Sequence, residues 1–300
     1  MKLLVYGAGA VGSYLGGMLA SKNDVTLVGR REHVEAITER GLRITGLTER
    51  TVRPKASEHI REGASYDLVL LTVKSYDLEA SLADLGPVLR DGTVLMVVQN
   101  GLRVLGLPAQ VGGSRLVLGV ASFGITYQGP GHVVHAGSGG LRLGAIGGEL
   151  DLELYSHLFS GSGIGCEVSS NIAKDVWRKA IINSAINPIT ALVRRRNGAI
   201  IESEGLLGLC RSVFEESLEI AIAEGGLDRG DVGFQDVLDV IRATAWNQSS
   251  MLQDVERGRR TEVDALNGWL MRAGERSKLP VEYNTTLNAL IIGIGAKDGE

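Results

Sequence analysis

The first thirty residues constrain this chain more than any other part of it. Lys2–Gly7 (Lys-Leu-Leu-Val-Tyr-Gly) is a short apolar run closed by glycine, the signature of a buried parallel strand. Gly7-Ala8-Gly9-Ala10-Val11-Gly12 follows, and Val11–Ser21 has a helical pattern. A G-x-G-x-x-G between a strand and a helix makes a turn whose backbone can close on a dinucleotide pyrophosphate. Gly7 serves the tight turn, Gly9 the approach of the phosphates, and Gly12 the packing of helix on strand. Ala8, Ala10 and Val11 complete the loop, and the helix N-terminal amides face the anion. The same glycines, with Gly16 and Gly17, interrupt the apolar stretch a secretory leader would need.

The end of the second strand, Asp24–Gly29, selects the nucleotide. An acidic side chain at this place bonds the ribose 2′-hydroxyl of NAD. Here the chain has Arg30 and Arg31, and a guanidinium pairs instead with a 2′-phosphate. The expectation is NADP(H), with Glu32 as the one nearby counter-signal.

Strand and helix patterns then alternate. Glu32–Gly41 reads as a helix and Leu42–Pro54 as a hairpin insertion. Tyr66–Val73 is a third strand, Asp77–Leu89 a helix, Thr93–Gln99 a fourth strand and Leu116–Ile125 a fifth. This order predicts a Rossmann-type, doubly wound parallel sheet. Gly124–Gly148 reads as a β-meander, Leu150–Ser160 as a helix and Cys166–Val168 as a last strand. Beyond Asn171 the periodicity is helical, over Ile172–Asn187, Gly205–Gly225, Val232–Arg257, Thr261–Ser277 and Thr285–Ile294. The expected organisation is α/β, with a nucleotide-binding domain at 1–169 and an all-helical domain at 170–300.

Composition excludes several classes. A net charge of −4 gives no nucleic-acid footprint. No eighteen-residue apolar window suggests a membrane span. Cys166 and Cys210 have neither metal spacing nor the number for a disulfide framework, which suits a cytoplasmic protein. His132 and His135 read as sheet residues, since no partner ligands have suitable spacing, and no metal is expected. Arg194–Arg196 reads as a solvated loop. The long C-terminal helices are compatible with a homodimer.

The segment Trp177–Pro188 places Lys179, Asn183 and Asn187 at i, i+4 and i+8, on one face of a helix that is otherwise apolar. Spacing alone leaves two readings open. The stripe is a polar surface or helix interface, or it binds a small anionic or carbonyl ligand that offsets its burial. Pro188 should bend or end the helix near Asn187.

These segments together resemble the ketopantoate reductase family. The resemblance rests on Gly7–Gly12, Val73-Lys74-Ser75, Gln99-Asn100-Gly101, Trp177–Ala191, Ser249–Asp254 and Thr261–Asp264, in family order over nearly the whole chain. It implies reduction of 2-dehydropantoate to pantoate by NADPH, on the route to pantothenate and coenzyme A, with Lys179 as proton donor. It further implies that Asn100, Asn183, Asn187, Asn197 and Ser250 bind substrate. Lys74, Asn100 and Glu262 would contact the cofactor. Ser250 could instead bond its own helix backbone, and Lys74 and Asn100 could be strand-end turn residues. Two other functions remain open from sequence: reduction of another small 2-keto acid, and non-catalytic NADP binding as a redox sensor.

Overall fold

In the computed structural model, which describes residues 1–109, 115–146 and 150–295, the N-terminal strand β1 (Lys2–Tyr6) runs into α1 (Ala10–Leu19). Next come β2 (Asp24–Val28), α2 (Arg31–Arg40), β3 (Leu42–Gly46), β4 (Arg50–Val52) and β5 (Lys55–Ser57). They are followed by β6 (Leu68–Leu71), α3 (Leu78–Leu85), β7 (Val94–Val97) and β8 (Leu116–Ala121). The region closes with β9 (Gly124–Gly129), β10 (His132–Gly137), β11 (Leu141–Ala145), α4 (Leu152–Ser160) and β12 (Cys166–Val168).

The large sheet has the order β12-β11-β8-β7-β6-β1-β2-β5. Its pairs are parallel except β8 with β11. Every residue of β6 and β7 is buried, as a strand covered on both faces requires. Chain order reverses between β1 and β6, so the switch point lies at the carboxyl ends of these strands. In open α/β sheets this is where ligands bind.

Two expectations need correction. The fifth strand stops at Ala121, where the Gly140 N–H turns from the ladder to the Ser122 hydroxyl. The segment after it is not one meander. β9 and β10 form a hairpin whose β10 pairs in parallel with β3, giving a second sheet, β4-β3-β10-β9. β11 returns to the large sheet. Residues 147 and 148 of the expected meander lie outside the described residues. The expected 42–54 hairpin is present as β3–β4, while β5, on the sheet edge beside β2, was not expected.

His33, in α2, fastens the small sheet to α1. It is 2% exposed. The Gly131 N–H donates to its Nδ1 at 2.9 Å, so Nδ1 carries no proton and Nε2–H faces Ser13 Oγ at 2.9 Å. The ring is therefore held neutral, and burial pushes its pKa down to about 4. The unfolded chain takes up this proton near pH 6.5 and the folded one only near 4. The associated stability is complete above pH 6.5 and is lost as pH falls from there to 4, by up to about 3 kcal/mol. We expect His33→Gln to flatten the fall of the urea midpoint over this window. An unchanged slope would remove His33 as its cause.

The remaining residues form helices: α5 (Ile172–Val193), α6 (Glu204–Ala223), α7 (Phe234–Ala243), α8 (Ser250–Glu256), α9 (Asn267–Arg276) and α10 (Glu282–Gly295). By packing, the chain divides into two units, one of Met1–Gln99 with Val104–Ile172, the other of Asn100–Arg103 with Ala173–Glu300. The second unit has a core of its own, with Trp177 edge-on to Trp269 at 5.1 Å.

Here too the structure departs from the periodicity. The expected helix over 232–257 is two helices, because the Ser249 hydroxyl caps a new one by accepting from the Leu252 N–H. The pattern over 261–277 breaks at Leu266, before α9. Nor does Pro188 end α5, which continues for five further residues to Val193. Proline withholds an N–H from the carbonyl four residues back, here that of Ser184. That carbonyl accepts from Asn267 Nδ2 at 3.1 Å.

Candidate active site

The glycine turn at Gly7–Gly12 sits at the switch point. The Gly7 and Ala8 N–H groups both donate to the Val28 carbonyl, at 3.0 and 2.8 Å. This folds the chain back over β2, and Gly7 takes a φ of +101° to do so. The Thr72 hydroxyl donates to the Gly7 carbonyl at 2.8 Å and ties the turn to the end of β6. A Cβ on Gly12 would lie 2.4 Å from both that carbonyl oxygen and Thr72 Oγ1. A Cβ on Gly9 would meet nothing nearer than 3.9 Å. The backbone at Gly9 is therefore bare on the side a Cβ would fill, next to the first turn of α1. A pyrophosphate fits such a place.

Arg30 caps α2 at the end of β2, and its side chain is exposed. Arg31 is exposed and donates to Glu35 at 2.8 Å. Lys74 is half-buried and opens the turn after β6. Gln99 Nε2 donates to the Val73 carbonyl at 2.7 Å, linking the ends of β7 and β6.

In the helical unit, α5 presents two polar faces. Lys174 pairs with Asp228 and Asp231 at 2.6 and 2.7 Å, and Arg178 pairs with Asp236. These cations hold the loop before α7 and the first turn of α7. Lys179, one residue on, points elsewhere. Burial lowers its pKa to about 8, against the pull of the Glu262 carboxylate, which raises it. Glu262 is 6% exposed and accepts from Asn100 Nδ2 at 3.3 Å. Asn100, next to the end of the fourth strand in sequence, thus belongs by packing to the helical unit. An ammonium, a carboxylate and an amide come together there.

Asn183 lies half-buried one turn after Lys179, and Asn187 is buried one turn further. The stripe is therefore not a solvated face. Asn197 is buried after α5, where its Nδ2 donates to Thr244 at 2.9 Å. Its Oδ1 is shielded and has no protein donor among the described residues. Ser250 is exposed in the first turn of α8, and the capping role falls to its neighbour Ser249. The Arg194–Arg196 loop is exposed, as expected, with Arg195 paired to Glu202.

Sequence reasoning did not single out Asn267, whose signal was the proline itself, which implies an orphan carbonyl. The described residues contain no cluster of three or more metal-ligating side chains, and none of their helices is long and apolar enough to cross a membrane.

Comparison with known proteins bears on the family and the fold. Residues 3–148 match the family model described as "Ketopantoate reductase PanE/ApbA", and residues 171–295 match its C-terminal counterpart. The chain is 38% identical over 295 residues to a 2-dehydropantoate 2-reductase of Pyrococcus horikoshii, covering 97% of this chain and 96% of that protein. Among solved structures, a PanE/ApbA family ketopantoate reductase from Ralstonia eutropha has a TM-score of 0.88 at 32% identity, covering 98% of both chains. A ternary complex of D-mandelate dehydrogenase with NADH and anilino(oxo)acetate has a TM-score of 0.89 at 25% identity, again covering 98% of both.

Proposed function

Since the chain belongs to the ketopantoate reductase family, we propose that it reduces 2-dehydropantoate to pantoate with NADPH. The observation that carries this reading is Lys179. It is a lysine whose pKa burial lowers to about 8 beside the Glu262 carboxylate, itself bonded by Asn100, on a helix whose same face carries Asn183 and Asn187. The domain around the glycine turn holds the nucleotide, and the helical domain from about residue 170 supplies the acid and the substrate amides.

The reduced nicotinamide, when bound, supplies the hydride. Gly7, Ala8, Gly9, Ala10, Val11 and Gly12 would hold its pyrophosphate, Arg30 and Arg31 the 2′-phosphate, and Lys74, Asn100 and Glu262 the remaining polar groups. On the protein side, the Lys179 ammonium donates a hydrogen bond to the keto oxygen and then its proton as the alcohol forms. Before that, it stabilises negative charge developing on this oxygen. Glu262 keeps the amine protonated near pH 7, where burial alone would lower its pKa further. Asn183, Asn187, Asn197 and Ser250 offer amide and hydroxyl groups that suit a carboxylate and a terminal hydroxyl.

The test is NADPH oxidation with ketopantoate beside a panel of other 2-keto acids. Turnover of ketopantoate at the highest kcat/KM is the expected result. Preference for another acid would displace the substrate assignment, and NADPH binding without any turnover would replace catalysis with sensing. D-mandelate dehydrogenase, by its name, acts on an aromatic hydroxy acid, so benzoylformate belongs in the panel.

Cofactor choice gives a separate prediction. Arg31 is already engaged by Glu35, while Arg30 is exposed at the strand end. We expect Arg30→Ala to reduce the NADPH over NADH preference about 10–100-fold, the scale of one charge-assisted pair. Arg31→Ala should cost less, because its gain is offset by the lost pair with Glu35. Unchanged preference in both variants would defeat the assignment to NADP.

A further inference from the structure

Pro188 is buried inside the last two turns of the helix that carries Lys179, Asn183 and Asn187. It has no N–H for the Ser184 carbonyl, and Ser184 is fully buried. A carbonyl in that position needs another donor. Asn267, at the start of α9 and also fully buried, supplies one from Nδ2 at 3.1 Å. Its second N–H goes to Asn284 Oδ1 at 2.9 Å.

The direction of this chain is set from its far end. The Glu216 carboxylate accepts from the Asn284 side chain at 2.8 Å and from the backbone N–H groups of Tyr283 and Asn284 at 3.0 and 2.8 Å. Ser217 Oγ lies 3.1 Å from the same Asn284 nitrogen. With Nδ2 of Asn284 so committed, its Oδ1 faces Asn267, which must then present both of its hydrogens as donors. A flipped Asn267 would set its oxygen against two acceptors.

We propose that Asn267 is a positioning residue, standing in for the N–H that Pro188 lacks. By doing so it keeps the Lys179–Asn183 turns of α5 in helical phase with Asn187. Asn183 and Asn187 lie on either side of Ser184, so a shift at this carbonyl changes their spacing along the stripe. The proposal rests on the reading of Lys179, Asn183 and Asn187 as the reacting and binding groups, but the pairing of Asn267 with the Pro188 gap can be tested independently.

The test is a double-mutant cycle of Asn267→Leu and Pro188→Ala, read in kcat and KM for ketopantoate, KM for NADPH, and thermal midpoint. An alanine at 188 restores an N–H for the Ser184 carbonyl. Asn267→Leu should lower kcat/KM for ketopantoate about 10–100-fold with KM for NADPH unchanged. Pro188→Ala alone should stay within about threefold of wild type, and the double variant should recover most of the loss. A double variant as impaired as Asn267→Leu, or losses that add, would overturn the proposal. So would a loss shared equally between ketopantoate and NADPH, since that marks general destabilisation.

Where Asn267→Leu alone does not fold, a folded and active double variant is the same rescue. If the double variant also fails to fold, Asn267→Ser is used in both backgrounds with the same expectations. A wild type that turns over no 2-keto acid would overturn the functional reading, and with it the catalytic part of this proposal. Non-additive thermal midpoints would then still support the pairing, and additive ones would reject it.

Discussion

Lys179→Ala should lower kcat for ketopantoate by about 10²–10⁴-fold and leave NADPH binding within about twofold of wild type. The magnitude follows from what the residue supplies. A positioned acid removes the need for water to protonate the oxygen and stabilises its charge on the way, together worth about 3–5 kcal/mol. Fluorescence titration of NADPH separates the two outcomes. A comparable loss of cofactor affinity would make Lys179 a binding residue and not the acid.

The same lysine predicts a pH profile. The reactive form is the ammonium, and its pKa lies at about 8. Activity should therefore be level below that pH and fall about tenfold per unit above it. Glu262→Gln removes the charge that raises this pKa, so the alkaline limb should move to lower pH. A limb that stays in place would show that Glu262 does not support the charge on Lys179.

Much of this arrangement was legible because it is local. β6 and β7 are continuous apolar runs, and continuous burial on both faces selects such residues without reference to any partner strand. The glycine turn likewise carries its structural requirements within six residues. What could not be read is non-local. Nothing in Leu141–Ala145 says that it returns antiparallel to β8, or that β10 pairs with β3, eighty-six residues or more away in sequence. That α5 does not end at Pro188 could not be read for the same reason. The rule against proline in a helix assumes an unsatisfied carbonyl, and a buried amide seventy-nine residues on removes that assumption. In the site, the i, i+4, i+8 stripe was visible, but the meeting of Asn100 with Glu262 across 162 residues was not.

Gly12→Ala and Gly9→Ala should fail in different ways, and the contrast tests whether the turn is a cofactor cradle. The added methyl at Gly12 meets the Gly7 carbonyl and Thr72 Oγ1, both at 2.4 Å. The first is backbone and cannot rotate away, so α1 and the end of β1 must separate. Overpacking of this kind costs about 1–3 kcal/mol, and it also displaces the amides of the turn. We expect a lower thermal midpoint and an NADPH affinity reduced at least about 100-fold. At Gly9 the methyl has open space, with its nearest atom 3.9 Å away. That variant should fold with an unchanged midpoint. Its methyl nevertheless occupies the bare side of the turn that the pyrophosphate would approach, so NADPH affinity should fall about 10–100-fold with no loss of stability. Isothermal titration beside thermal unfolding reads both quantities. A Gly9→Ala protein that binds NADPH as wild type does would mean that the phosphates lie elsewhere, and the strand–turn–helix would then be a packing motif alone.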